Sequence, residues 1–292
     1  MGYSARYHAA SLAAVFLALA VGILIGAGLG DNVLSDTEDN LRRSLEGDIE
    51  DARGEADALQ EDLDRERAFA ERAYPALVGE TLRNRDVGVV ALGDLPPDVA
   101  SDIEDALEPS GAELAEVVVV RQPPDAAAMA SELGPPFAQA DEDNGQLNEL
   151  GARIGAQLVR GRGKQLDAVR DIVFLRASGE GGPLDGVVIV RGAEPPSDDE
   201  GRTEAFDSGL IDGIAESGAP AVAVERSGVA ESSIPFFAPF DVATVDSVDL
   251  TSGKVALVFT LLGAEGSFGI KGTANALLPE LLERPRRAAA SP

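Results

Sequence analysis

Between Ala9 and Gly30 the chain carries no charged residue, and Ser11 is the only polar side chain in that stretch. As a helix rising about 1.5 Å per residue it would span about 33 Å, enough to cross a hydrocarbon core of roughly 30 Å. A lone segment in lipid must satisfy its own backbone polar groups, so a helix is the conformation open to it. Small residues recur at every fourth position: Ala10, Ala14, Ala18, Gly22, Gly26 and Gly30. Such a stripe lets a second helix approach closely, and it assigns Ala14, Ala18, Gly22, Gly26 and Gly30 to a helix-packing face. The plainer reading is an anchor in which small residues are simply frequent.

A cleaved leader competes with a retained anchor. Arg6 precedes the apolar run, and Ala18-Leu19-Ala20 has the shape of a processing site. The run continues well past Ala20, further than a leader needs, so retention is the expectation. Arg6 and the amino terminus lie before the helix, whereas Asp31, Asp36, Glu38 and Asp39 follow it before the first arginine, Arg42. The positive end stays inside, which predicts a cytoplasmic stub over 1–8 and an extracytoplasmic bulk. The expected localisation is the cell membrane, crossed once, with the membrane itself as one partner.

The net charge of −27 argues against nucleic acid, because phosphate binding needs a basic face. There is no cysteine, which removes disulfides, zinc–thiolate sites and thiol nucleophiles from consideration. His8 is the only histidine, and it sits at the membrane edge on the expected inner side. No Ser-His-Asp or Cys-His arrangement is therefore available outside, and the chain reads as no enzyme, with no evident cofactor.

From 31 to 76 the chain turns charged and helical. With Leu45 at a heptad d position, Ile49, Ala56, Leu63 and Ala70 fall at a, and Ala52, Leu59, Glu66 and Ala73 at d. This predicts a coiled-coil stalk and, with the glycine stripe, a homodimer. Alanine fills much of the seam, and Gly47 and Gly54 each cost about 1 kcal/mol relative to Ala, so the seam would rely on the membrane helix for association. The alternative is a single amphipathic helix lying back on the outer domain.

Residues 77–279 alternate short apolar runs with helical segments. Val87–Leu92, Val117–Val120, Val187–Val190 and Ala221–Val224 read as strands. Asp98–Leu107, a long region from Leu147 to Leu175, and Glu204–Ala215 read as helices. Uniformly apolar strands separated by helices predict an α/β domain with a mostly parallel, doubly wound sheet. Pro96-Pro97-Asp98, Pro123-Pro124-Asp125 and Pro195-Pro196-Ser197-Asp198 each stand between a strand and a helix, where proline in the first turn sacrifices no needed N–H. Val255–Leu262 fits either a helix or a strand, and 280–292 reads as a disordered tail.

Few residues suggest a site. Gly161-Arg162-Gly163-Lys164 lacks the spacing of a phosphate loop. Asp141-Glu142-Asp143-Asn144-Gly145 departs from a calcium loop in its glycine and in Ala152 at position twelve. Three strands end in arginine, at Arg121, Arg191 and Arg226. Strand ends form the ligand crevice of such sheets, so convergence of these three would make an anion site. The plainer reading is that each arginine marks a return to solvent.

The opening Arg6-Tyr7-His8-Ala9-Ala10-Ser11-Leu12-Ala13-Ala14-Val15-Phe16-Leu17-Ala18-Leu19-Ala20-Val21-Gly22 resembles the start of the actinobacterial copper transporter MctB family, also described as the cell-separation protein SteB. The resemblance continues through the acidic coil and the α/β region, Val245-Asp246-Ser247 and Gly253 to Val258, and Ser267-Phe268-Gly269, where family members tend to carry Tyr-Gly. It implies a role in copper efflux or homeostasis. It also implies a dimeric scaffold or regulator of envelope remodelling at cell separation, with an envelope protein as partner. Copper enters only through this resemblance. Copper(I) prefers thiolate or thioether and copper(II) prefers imidazole, and outside the membrane the chain offers Met129 alone.

Overall fold

A computed structural model of the chain describes residues 3–192 and 200–280. The Pro195-Pro196 pair and the tail from 281 lie outside the described residues. The chain forms two compact units, one running to Arg67 and one beginning at Ala68.

The first unit belongs to helix α1 (Tyr3–Val78). Within it Tyr7–Gly26 has a mean hydropathy of 2.5 and none of it is buried, so it is long and apolar enough to cross a membrane. At Gly22 and Gly26 a Cβ would meet nothing within 4 Å, which leaves that face open. Gly30 is helical, but its surroundings lie outside the described side chains. Further along, Leu45, Ile49, Leu59 and Leu63 stand exposed on the helix.

The second unit is a mixed α/β domain. Its elements are β1 (Asp86–Leu92), α2 (Pro97–Leu107), β2 (Glu113–Val120), α3 (Ala126–Leu133), α4 (Asn144–Arg160), α5 (Lys164–Val173), β3 (Phe174–Gly179), β4 (Gly186–Arg191), α6 (Glu200–Ala215), β5 (Ala221–Val224), β6 (Ala243–Val245), α7 (Thr251–Leu261) and β7 (Ser267–Phe268). The strands form one sheet in the order β3-β2-β1-β4-β5-β6-β7. All neighbours are parallel except β2 and β3.

The uniform burial of β1, β4 and β5 follows from cores on both faces. Leu147, Leu150, Ile154, Leu166, Phe206 and Leu210 of α4–α6 pack with Val90, Val118 and Ile189. On the other face Ile103 of α2 and Val255 and Leu257 of α7 meet Val89, Val188 and Val222, joined by Tyr74 and Val78 from the end of α1. The Tyr74 hydroxyl donates to the Ala106 carbonyl at 2.6 Å, which satisfies an otherwise stranded polar group.

Helices α4 and α6 cross unusually closely. A Cβ at Gly209 would lie 2.0 Å from the Asn148 carbonyl oxygen, and one at Gly213 would lie 1.9 Å from that of Ala152. From the opposite side, a Cβ at Gly155 would come within 2.2 Å of the Leu210 carbonyl oxygen. Gly151-xxx-Gly155 and Gly209-xxx-Gly213 thus face each other, the small-residue device familiar from membrane helices used inside a folded domain.

Some expectations need correction. The helical region from Leu147 to Leu175 is two helices, broken at Gly161-Arg162-Gly163. Its last residues, Phe174 and Leu175, begin strand β3, which pairs antiparallel at the sheet edge. Strands β6 and β7 are too short to show as apolar runs. The ambiguous segment 255–262 is helical, within α7.

Candidate functional site

Strand β2 follows β1 on one side of it and β4 adds on the other, so the connections diverge between β1 and β4. In such sheets the carboxyl ends of the strands at this point frame a crevice. Here those ends are Gly93-Asp94 after β1, Arg121 after β2, Arg191-Gly192 closing β4, Glu225-Arg226 after β5 and Asp246 after β6.

The three arginines do not act as one group. The Arg121 side chain donates through Nε to the Ile172 carbonyl at 3.0 Å, occupying the end of α5. The Arg226 guanidinium pairs with Asp98 and, at 2.8 Å, with Asp102, both on α2. Arg191 lays its guanidinium over the Phe236 ring at 4.1 Å from the centroid. Arg191 and Arg226 line one cavity of about 420 Å³, together with Pro96, Val99, Glu225, Glu231 and Ser232. Arg121 is not among its lining residues.

Two buried carboxylates, Glu225 and Asp246, stand at these ends. Glu225 prolongs the apolar run of β5 yet is 5% exposed. Its oxygens accept from Ser232 Oγ at 2.7 Å, the Ser233 backbone N–H at 2.7 Å, Ser233 Oγ at 3.1 Å and Lys271 Nζ at 2.7 Å. Three neutral donors and one ammonium offset the desolvation of the charge. Asp246 accepts from the backbone N–H groups of Ile270 at 2.8 Å and Lys271 at 2.9 Å. A Cβ at Gly269 would lie 1.8 Å from the Asp246 Oδ1, and one at Gly253 would lie 1.8 Å from the Ser247 carbonyl oxygen. Residues 245–253 and 267–271 are therefore one knot of structure. In the sequence these segments show through the resemblance at Val245-Asp246-Ser247, Gly253 to Val258 and Ser267-Phe268-Gly269, while the pairing of Lys271 with Glu225 leaves no local signature.

Asp207, on α6, is also buried, as is Glu116, which pairs with Arg170. Burial pushes the Asp207 carboxyl up to about 7, against the attraction of Arg191 and a hydrogen bond from the Gln122 amide. The second carboxyl oxygen has no partner among the described residues. The acidic stretch near 141 serves the fold: Asp143 caps α4 by accepting from the Gly145 N–H at 2.8 Å. Among the described residues no group of three or more His, Cys, Asp or Glu side chains could hold a metal ion.

An apolar helix of membrane-spanning length and a mixed α/β domain in one chain define a class, a sheet domain with a helix suited to anchoring. The chain belongs to the family described as copper transport outer membrane protein, MctB, whose model matches residues 3–279. Curated relatives named copper transporter MctB, from Mycobacterium bovis and two strains of Mycobacterium tuberculosis, are each 29% identical over 119 residues. That alignment covers 41% of this chain and 38% of the relatives' length.

Proposed function

We propose that this chain is a single-pass membrane protein whose α/β domain stands outside the cytoplasm and serves copper efflux or homeostasis. The observation that carries the reading is the family match over 3–279, taken with the apolar helix Tyr7–Gly26. In this reading copper is cargo of the system, and the chain is a non-enzymatic, homodimeric component. The donor set supports an indirect part. Met129 is fully buried in the core, and an acidic surface without thiolate or outer imidazole is a poor copper site. The doubly wound arrangement of the domain and a paired stalk belong to the same proposal, supported by the two cores and by the exposed Leu45, Ile49, Leu59 and Leu63.

Those exposed seam residues also favour a second reading, a dimeric scaffold in envelope remodelling at cell separation that meets an envelope protein partner. Deleting the gene in the host and measuring cell-associated copper separates the two. The first reading expects copper to rise and to return to normal with the full chain. Unchanged copper together with unseparated cells would replace it with the second.

A further inference from the structure

The cavity bounded by Arg191 and Arg226 has a charge pattern that selects among ligands. Arg226 is already paired with Asp98 and Asp102, so it closes the wall by holding α2 to the end of β5 and is not open to an anion. Glu225 is likewise saturated, by Lys271 and two serines. Two charged groups of the lining are left. The Arg191 guanidinium lies over Phe236, attracts the buried Asp207 and, among the described residues, forms no ion pair and no side-chain hydrogen bond; Glu231 is exposed on the loop after β5. A guanidinium stacked on a ring keeps its N–H edge directed outward, an arrangement suited to a carboxylate. The lining also includes four apolar side chains, Val99, Val190, Val224 and Val229. A volume of about 420 Å³ is in the range of small-molecule sites.

We propose that this cavity binds an α-amino-acid zwitterion with an apolar side chain, its carboxylate on Arg191, its ammonium toward Glu231 and its side chain against the valines. A simple anion fits less well, because Glu231 would repel it while nothing received its other end. This proposal is independent of any role in copper handling.

Isothermal titration of the full chain in detergent with L-valine, N-acetylvaline and valinamide tests it. Valine binds saturably with a Kd below about 1 mM. N-acetylvaline, lacking the ammonium, and valinamide, lacking the carboxylate, each bind at least about tenfold more weakly. Arg191→Gln and Glu231→Gln each weaken valine by about tenfold or more. Glu231 is exposed, so its variant keeps the fold and the test stays open even where Arg191→Gln loosens the Phe236 contact. Absence of saturable valine binding, equal affinity for N-acetylvaline, or an unchanged Kd in Glu231→Gln overturns the proposal.

Discussion

Lys271 shows how much of this domain depends on single side chains far apart in sequence. Its ammonium meets Glu225 and the Arg226 carbonyl, while its backbone N–H holds Asp246. Removing one partner of a buried pair leaves the other charge uncompensated, at a cost of about 3 kcal/mol. Lys271→Met should therefore lower the melting temperature of the α/β domain by about 10 °C in a thermal melt of the full chain. A shift within about 2 °C would show that the pair carries little stability. Asp207 makes a different prediction. Its folded value, about 7, lies above the ordinary 3.8, so its contribution is present below the unfolded value and is lost as pH rises through 7. Asp207→Asn removes that dependence: relative to the parent it gains stability between pH 4 and 8, read from denaturant midpoints. Parallel profiles for the two proteins would refute it. The arginines teach the converse lesson. Their positions after strands were legible, but their partners Ile172, Phe236, Asp98 and Asp102 were not, because side-chain pairing across a sheet leaves no local signature.

At the scale of elements, β1, β4 and β5 were readable because burial on both faces makes them uniformly apolar, and β2 through its apolar end Val117–Val120. Strand β3 was missed because it is an exposed edge strand, Phe174-Leu175-Arg176-Ala177-Ser178-Gly179, which follows α5 without a turn. The same small-residue spacing that marks the apolar N-terminal part of α1 also brings α4 and α6 together. In that setting the stripe is a packing device whose partner lies in the same chain. Gly213→Ala places a methyl group 1.9 Å from the Ala152 carbonyl oxygen, and overpacking of this kind costs about 3 kcal/mol. Denaturant unfolding of the full chain should show it, and a variant as stable as the parent would mean that the helices separate freely. In the apolar segment Tyr7–Gly26 the corresponding change, Gly22→Ile with Gly26→Ile, should reduce the cross-linking in detergent that the proposed dimer gives. A cross-linking pattern identical to that of the parent would exclude this face from pairing.

For the whole molecule, the proposal is that the chain serves copper handling through its architecture, with no copper ligand of its own. Composition carried most of that claim, since the absence of cysteine and the scarcity of histidine and methionine are plain in the sequence. Burial of Met129 came only with the fold. The claim is tested most directly in a deletion strain expressing the full chain with His8→Gln and Met129→Leu, by measuring cell-associated copper. Leucine conserves the core volume at 129, so folding is retained, a point that a thermal melt of the purified variant checks. The double variant is expected to restore copper to the level reached with the unmodified chain. A folded variant that leaves copper as high as in the deletion strain would contradict it, and would place a copper ligand on this chain.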